Sequence, residues 1–251
     1  MRITMLCRRP LPHIAQAPAA FVLVGTLWLS GCASTSLSSP DTPDAGSAYT
    51  RLGLAYLEQN NLKRALNALD RAEEHDPGNP ETLQALALVY QRQGEDELAA
   101  EQFQKALAAD ADFTRARNNY AAFLYQQGNY QRACQQLEKA AQDPQYEHRA
   151  RLFTNLGQCY SAMDQPQRAR ENLKRAGQLD PRYARSYWQL ARLEFQQGHH
   201  ARAWAPLQRF LRLGRPTREA LEMAAELALE RGDSELAGKY RRQLASTGET
   251  P

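Results

Sequence analysis

Four cysteines and five histidines are the side chains of this sequence that could act as nucleophiles, redox groups or metal ligands. The histidines after residue 31 fall at predicted helix ends or turns, where a solvated side chain is the ordinary outcome. His199 and His200 are adjacent, but no Cys, Asp or further His lies at a spacing that completes a metal site. The sequence also lacks a glycine-rich phosphate loop, a nucleophile elbow and a metal-binding helix motif. We therefore expect no enzyme, no metal, no cofactor and no small-molecule substrate.

Cys32 lies directly behind an apolar run, and this position suggests a different chemistry. Three arginines and no acidic residue come first, an apolar run follows at residues 17–29, and small residues come next. This is the three-part layout of a secretory signal peptide. The run is too short for a comfortable transmembrane helix, which needs about 20 residues.

Residues 29–32, Leu-Ser-Gly-Cys, resemble the bacterial lipobox, in which cleavage leaves the cysteine first and its thiol carries a diacylglycerol. An ordinary cleaved signal with an incidental cysteine is the alternative. Each buried methylene contributes about 0.8 kcal/mol, so several acyl chains would hold the protein firmly on a membrane. Ala33 after the cysteine is typical of lipoproteins sorted to the outer membrane. We expect residues 1–31 to be removed, residues 32–45 to form a flexible tether, and the protein to sit on the periplasmic face of the outer membrane.

The charges are balanced overall but segregated along the chain. The net charge of +3 comes from the arginines before Cys32, and 28 basic and 28 acidic residues follow. Residues 46–113 carry 6 basic and 12 acidic side chains, whereas residues 114–217 carry 17 and 7. Overall neutrality removes the simplest argument for a nucleic-acid partner, and we expect none. The dipole can orient a charged partner or neighbouring anionic material, although solvated helix faces with no electrostatic task explain it equally well.

From residue 46 onward the sequence repeats with a period of about 34 residues. The tetratricopeptide pattern asks for large residues at positions 4, 7, 11 and 24, small residues at positions 8, 20 and 27, and a proline at position 32. The unit that begins at Gly46 agrees at every one of these positions, with Leu52 at position 7 and Gly53 at position 8. Later units keep most of the pattern, but Glu194 and Phe210 break it in the fifth. The sequence predicts an all-α tetratricopeptide-repeat superhelix, an α-α solenoid of about six helix hairpins within residues 46–251, with units near 46–79, 80–113, 114–149, 150–183, 184–217 and 218–247.

Special residues mark the expected helix ends and one expected irregularity. Pro206 falls inside a predicted second helix and should kink or shorten it. Residues that tolerate the left-handed conformation occur where the first helix of five units should end: Asn60, Gly94, Gly128, Gly198 and Gly232.

Stacked repeats curve so that the first helices line a concave side. Side chains at positions 2, 5, 9 and 12 of those helices should face this groove. Leu54, Leu57 and Leu88 are apolar residues that the repeat core does not use, which suggests a slot for a partner segment unless the tether or a neighbouring unit covers them. Later first helices present Arg151, Arg185, Arg192, Trp188 and Phe195 at comparable positions. The predicted partner-binding groove comprises Thr50, Leu54, Leu57, Gln84, Leu88, Gln91, Asn118 and Tyr125, with Ala122 between the last two.

Two cysteines remain for the folded domain, Cys134 and Cys159. They lie on the second helix of the third unit and the first helix of the fourth, which are neighbours in a stack. An oxidising compartment favours a disulfide. Two separately buried thiols are the alternative.

The run from Asn118 to Tyr160, NNYAAFLYQQGNYQRACQQLEKAAQDPQYEHRARLFTNLGQCY, resembles one lipoprotein family. It is similar to the type IV pilus biogenesis/stability family PilF/PilW, the pilotins of the pilus secretin. The lipobox at Cys32, the six repeats, and the extended link at residues 143–146 (DPQY) followed by Arg149 and residues 153–157 (FTNLG) all correspond. The link is the specific part of this resemblance.

The resemblance implies a non-enzymatic protein that binds secretin subunits through its repeat surface, escorts them to the outer membrane and promotes their multimerisation there. The alternative is a general periplasmic adaptor that gathers envelope enzymes, such as peptidoglycan hydrolases, on a lipid-anchored scaffold. Composition does not separate these two functions.

Overall fold

Residues 45–247 are described by a computed structural model. The predicted signal peptide, the acylation site Cys32 and the predicted tether up to residue 44 lie outside the described residues. The first helix begins at Ala45, so the last residue assigned to the tether is helical. No helix within residues 45–247 is long and apolar enough to cross a membrane.

Twelve α-helices and no strand make up residues 45–247, and consecutive helices pack in pairs as six hairpins. The predicted all-α tetratricopeptide-repeat architecture is therefore confirmed. The odd-numbered helices are the first helices of the units and the even-numbered ones the second helices. They are α1 (Ala45–Glu58), α2 (Leu62–His75), α3 (Pro80–Gln93), α4 (Asp96–Ala109), α5 (Thr114–Gln126), α6 (Tyr130–Ala140), α7 (Arg149–Ala162), α8 (Pro166–Leu179), α9 (Ala184–Gln196), α10 (His200–Leu213), α11 (Arg218–Glu230) and α12 (Ser234–Thr247).

The small residues of the repeat allow the two helices of a hairpin to approach closely. In the fourth unit Ala169, Leu173 and Ala176 of α8 are buried against α7. Gly157 of α7 lies so close to α8 that a Cβ atom on it would be 2.6 Å from Cγ of Leu173. Gly53 has the same relation to Leu69 in the first unit. The small residues of the predicted repeat pattern therefore lie where the two helices of a hairpin are in close contact.

The turns between the two helices of each hairpin use the left-handed conformation where the sequence predicts it. Asn60 has a φ of 57° and the four glycines have φ between 71° and 80°. The fourth unit has no glycine there, and Asp164 takes the role with a φ of 54°. Asp is one of the few residues that enters this region at modest cost, which explains how the unit closes without glycine.

Pro206 does not shorten its helix, so that half of the prediction is wrong, whereas a kink at Pro206 stays a prediction. α10 runs through it from His200 to Leu213 and is 14 residues long, like most of the other helices. Proline removes one backbone hydrogen bond, but Ala203, Leu207 and Phe210 are buried and hold the helix from both sides of the proline. Tertiary packing therefore overrides the local preference.

Leu52 is the one large apolar residue of the first unit's helix pattern that is clearly exposed, with 42% of its surface accessible. In later units position 7 of the first helix packs toward the second helix of the preceding unit, and Leu86, Tyr120 and Leu156 are buried there. α1 is the first described helix and has no such predecessor among residues 45–247. Leu52 therefore fits the repeat pattern, but no helix among residues 45–247 precedes α1 to cover it.

The curvature of the stack follows from which helices touch. Successive first helices contact one another from α1 to α9, and no comparable set of contacts joins successive second helices in the described residues. Helices on the inside of a curved stack are closer together than those on the outside. The first helices therefore form the inner layer and the second helices the outer layer.

Candidate partner-binding surface

Half of the predicted groove residues are buried between the inner helices. Thr50, Leu57, Gln84 and Asn118 have no more than 4% of their surface accessible. They cannot contact a partner in this structure, so the prediction is corrected at these four positions.

The reason is the close spacing of the first helices. The hydroxyl oxygens of Thr50 on α1 and Thr82 on α3 lie 2.7 Å apart in a hydrogen bond. Asn155 on α7 donates from Nδ2 to Oδ1 of Asn118 on α5 over 3.1 Å. At Thr50 and Asn118 position 5 therefore joins neighbouring units through polar bonds, and the surface of the inner layer is formed by other positions.

Position 9 forms the middle of the inner surface, and its chemistry changes along the stack. Leu54, Leu88 and Ala122 are half-buried, with Leu54 and Leu88 packed against the buried core beneath them. The following units place a polar or charged residue there: Gln158, Arg192 and Glu226. At position 9, apolar residues are therefore confined to the first three units. We call Leu54, Leu88 and Ala122 the apolar stripe.

Polar and aromatic groups border the apolar stripe. Gln91 donates from Nε2 to Oε1 of Gln126 over 2.7 Å, which ties the end of α3 to α5. Tyr125 is half-buried, its ring lies 5.0 Å from that of Tyr130, and burial raises the pKa of its phenol. Gln126 was missed by the sequence reasoning. The repeated polar residues at position 13 could have indicated it.

The later inner helices are more occupied with internal contacts than the sequence suggested. Trp188 packs on Phe210 with ring centroids 5.2 Å apart. Arg192 lies over the Trp188 ring and is 3.2 Å from a carboxylate oxygen of Glu219 on α11. Phe195 stacks on His200 with centroids 4.8 Å apart. These contacts leave the apolar stripe as the simplest site for an apolar partner segment.

Cys134 and Cys159 are joined by a disulfide in the structure. Their Cα atoms are 5.7 Å apart, which is the usual separation for such a bond. Both residues are buried, and the bond connects α6 of the third unit with α7 of the fourth. The third and fourth units are therefore joined by a covalent bond within the core, in addition to the chain segment that connects them.

The link itself is ordered by Asp143. Its carboxylate accepts a hydrogen bond of 2.7 Å from the Thr114 hydroxyl and another of 2.9 Å from the backbone N–H of Gln145. These bonds lower the pKa of Asp143. Tyr146 follows and packs against the buried core of the central units. The two-residue insertion is thus a fixed connection and positions α7 on α5.

Glu194 occupies the position of the repeat tyrosine in the fifth unit and is 2% exposed. Arg170 of α8 makes two hydrogen bonds to its carboxylate, through Nε and Nη2. Burial raises the pKa of Glu194, but the bonds and charge of Arg170, together with the charges of His199 and Arg202, outweigh burial and lower it. The apparent break in the repeat pattern is a buried ion pair that joins two units.

Comparison with known proteins shows which family has this arrangement of repeats. Models of the tetratricopeptide repeat match residues 53–94, 82–117, 112–180 and 154–216. The type IV pilus assembly protein PilF of Pseudomonas aeruginosa is 33% identical over 231 residues, which cover 90% of this chain and 92% of PilF. An uncharacterized protein of Haemophilus influenzae is 37% identical over 161 residues, which cover 63% of this chain and 88% of that protein.

Solved structures agree with the sequence relationship. The structure of Pseudomonas aeruginosa PilF is similar with a TM-score of 0.77 and 34% identity, covering 81% of this chain and 91% of that one. The crystal structure of PilW, described as a widely conserved type IV pilus biogenesis factor, has a TM-score of 0.74 at 24% identity, covering 82% and 94%, and shows the same fold. The chain therefore belongs to the PilF family of tetratricopeptide-repeat proteins that act in type IV pilus biogenesis.

Proposed function

We propose that this protein is a lipid-anchored outer-membrane protein that binds type IV pilus secretin subunits and promotes their localisation and multimerisation. The observation that carries the proposal is the 33% identity with the pilus assembly protein PilF over 92% of its length. In this proposal Cys32 carries the acyl chains, and the repeat domain acts by binding a polypeptide without any catalytic step.

The apolar stripe is the contact that we assign to the secretin segment. Apolar side chains that remain partly exposed on a concave repeat surface are typical of sites for an amphipathic or extended peptide. Leu54 and Leu88 occupy equivalent positions on neighbouring helices, so one segment can lie across both. The half-exposed Tyr125 at the border adds an aromatic group of the kind that is enriched at binding sites.

The experiment combines a deletion strain with a charge placed in the stripe. Without the protein, secretin multimers should disappear from unheated gels, and the wild-type gene should restore them. The double variant Leu54→Glu and Leu88→Glu should fail to restore them, because two carboxylates would be desolvated against the bound segment. Because both leucines pack on the core, helicity and thermal melting of the variant must be measured alongside.

A matched control is available on the outer layer. Leu98→Glu combined with Leu179→Glu introduces the same charge at leucines that are 40% and 41% exposed on α4 and α8. This variant should restore multimers fully. Multimers that persist in the deletion strain, together with altered wall growth, would instead favour the adaptor function. The proposal predicts that the wild-type protein incorporates radiolabelled palmitate at Cys32. A wild-type protein that incorporates none would remove the lipid anchor from the proposal.

A further inference from the structure

The outward faces of the last three second helices carry a concentrated positive charge that the proposed function does not use. In units one to five, positions 19, 22, 25, 26 and 29 of the second helix lie away from the buried positions 20, 24 and 27, with Gln208 and Arg209 half-buried in unit five. In unit six Tyr240 at position 23 is buried and Arg241 at position 24 is exposed, so the same five positions are compared there by sequence alone. In units four to six these positions hold eight basic residues and one acidic residue, whereas in units one to three they hold five basic and four acidic residues. We call the basic set the basic outer face: Arg168, Lys174, Arg175, Arg202, Arg209, Arg212, Lys239 and Arg242.

Little of this charge is neutralised within the protein. Arg168 forms a salt bridge of 3.1 Å with Glu138. Lys174, Arg212 and Lys239 are exposed, and none of them forms a salt bridge among residues 45–247. A set of like charges held at fixed spacing on three helices attracts a polyanion much more strongly than any one of them does.

The composition of this face indicates which polyanion it fits. Its outward positions contain a single large apolar residue, Leu236, and no aromatic residue, and Leu179 beside them on α8 is 41% exposed, so the exposed apolar residues of this face are isolated leucines on separate helices. Protein interfaces have an apolar or aromatic centre, which this face lacks. Basic side chains alone are sufficient to attract a protein to a layer of anionic lipid headgroups.

We propose that the basic outer face rests on anionic phospholipid headgroups of the membrane to which the protein is anchored. The tether from Cys32 to α1 contains about a dozen residues and reaches at most about 45 Å, which is enough for the repeat domain to lie along the surface. With its outer layer on the membrane, the domain presents the inner layer and the apolar stripe to the periplasm. The inference uses the lipid anchor of the proposed function but does not depend on secretin binding.

The test measures which face of the full-length acylated protein lies on a vesicle. A fluorophore is attached at Gln178→Cys, on the exposed outer side of α8, and in a second sample at Ser161→Cys, on the inner helix α7. Vesicles contain a headgroup-linked quencher and either phosphatidylcholine alone or phosphatidylcholine with 30% phosphatidylglycerol. We expect strong quenching of the outer probe in the anionic vesicles, loss of that quenching at high salt, and weak quenching of the inner probe throughout.

Charge reversal then tests the named residues. Each basic residue near an anionic surface contributes about fivefold to the equilibrium, so losing three should reduce the membrane-bound orientation by about 100-fold. Lys174→Glu, Arg212→Glu and Lys239→Glu should therefore abolish quenching of the outer probe. The matched control, Arg71→Glu, Lys105→Glu and Lys139→Glu at position 26 of units one to three, should leave it unchanged.

Three results would overturn the proposal. The first is equal quenching of the outer probe in vesicles of phosphatidylcholine alone. The second is quenching that survives the triple reversal. The third is a triple-reversal variant that keeps its orientation on the vesicle but no longer captures secretin, which would assign the face to a protein partner. Secretin multimers are scored separately in cells, so a failure of the vesicle experiment leaves the proposed function standing.

Discussion

Replacing Gly157 by alanine should destabilise the protein even though alanine is the better helix former. A Cβ atom at this position would lie 2.6 Å from Cγ and 2.9 Å from Cδ2 of Leu173, and 3.1 Å from the backbone oxygen of Ala169. Carbon atoms in contact prefer about 3.5–4.0 Å, so α7 and α8 must separate by about 1 Å or Leu173 must leave its rotamer. Such overpacking costs about 1–3 kcal/mol, and the helix preference of alanine returns about 0.5–1 kcal/mol. From the midpoints of these two ranges, the expected net loss is about 1 kcal/mol.

The control is the same substitution where the helix has room. At Gly238 in α12 the nearest atom to an added Cβ is Nη1 of Arg242 at 3.4 Å, so Gly238→Ala should stabilise the protein by about 0.5–1 kcal/mol. Gly53→Ala meets Cγ and Cδ2 of Leu69 at 2.6 Å and should repeat the loss seen at Gly157. Urea midpoints followed by circular dichroism give the comparison. A Gly157→Ala protein as stable as wild type would refute the close approach of α7 and α8.

Two further stability predictions concern cross-links between units. The Cys134–Cys159 bond closes a loop with a sequence separation of 25, so Cys134→Ala with Cys159→Ala should cost about 3.5 kcal/mol, and reductant should lower the urea midpoint of wild type but not of this variant. An unchanged wild-type midpoint under reductant would contradict the bond. Arg170→Met leaves the Glu194 carboxylate buried and should cost about 3–5 kcal/mol at pH 7. Because the pKa of Glu194 is lowered below its ordinary 4.5, the stability from this pair is present above about pH 4.5 and is lost as the pH falls through the lowered value, so wild type and variant should converge in acid unfolding curves. A difference that stays constant from pH 7 to pH 3 would show that the ion pair is not its source.

The helical architecture could be predicted from the sequence because the tetratricopeptide pattern reports contacts within one hairpin and with the next. The small residues at Gly53 and Gly157 mark close helix approaches, and Asn60 and the turn glycines mark helix ends. These are local relations, and the repeat presents each of them several times. Asp164 escaped prediction because a non-glycine residue in the left-handed conformation has no distinctive composition signal.

The surface of the inner layer was harder to predict because it depends on the distance between units. Positions 5 and 9 of the first helices were both predicted to face the groove. Leu54 and Leu88 at position 9 are partly exposed, whereas Thr50 and Asn118 at position 5 are buried. A small change in the spacing of the first helices decides which of the two positions reaches solvent. Neither the period nor the residue types specify that spacing.

The fifth unit shows a second kind of failure. When the units are compared one position at a time, Glu194 is simply a residue that does not fit the repeat pattern. Its partner Arg170 lies in the preceding unit, so only a comparison across two units reveals that the tyrosine has been replaced by a matched pair of charges.

The disulfide also divides the solenoid mechanically. Among residues 45–247 the other neighbouring units are held together by packing, hydrogen bonds and ion pairs such as Arg170–Glu194, and a linear stack opens most easily from its ends. The domain thus has a stiff middle and two compliant arms. The arm formed by the first two units contains Leu54 and Leu88, so under the proposed function it is the compliant part of the solenoid that would meet the secretin segment, while the centre keeps its shape.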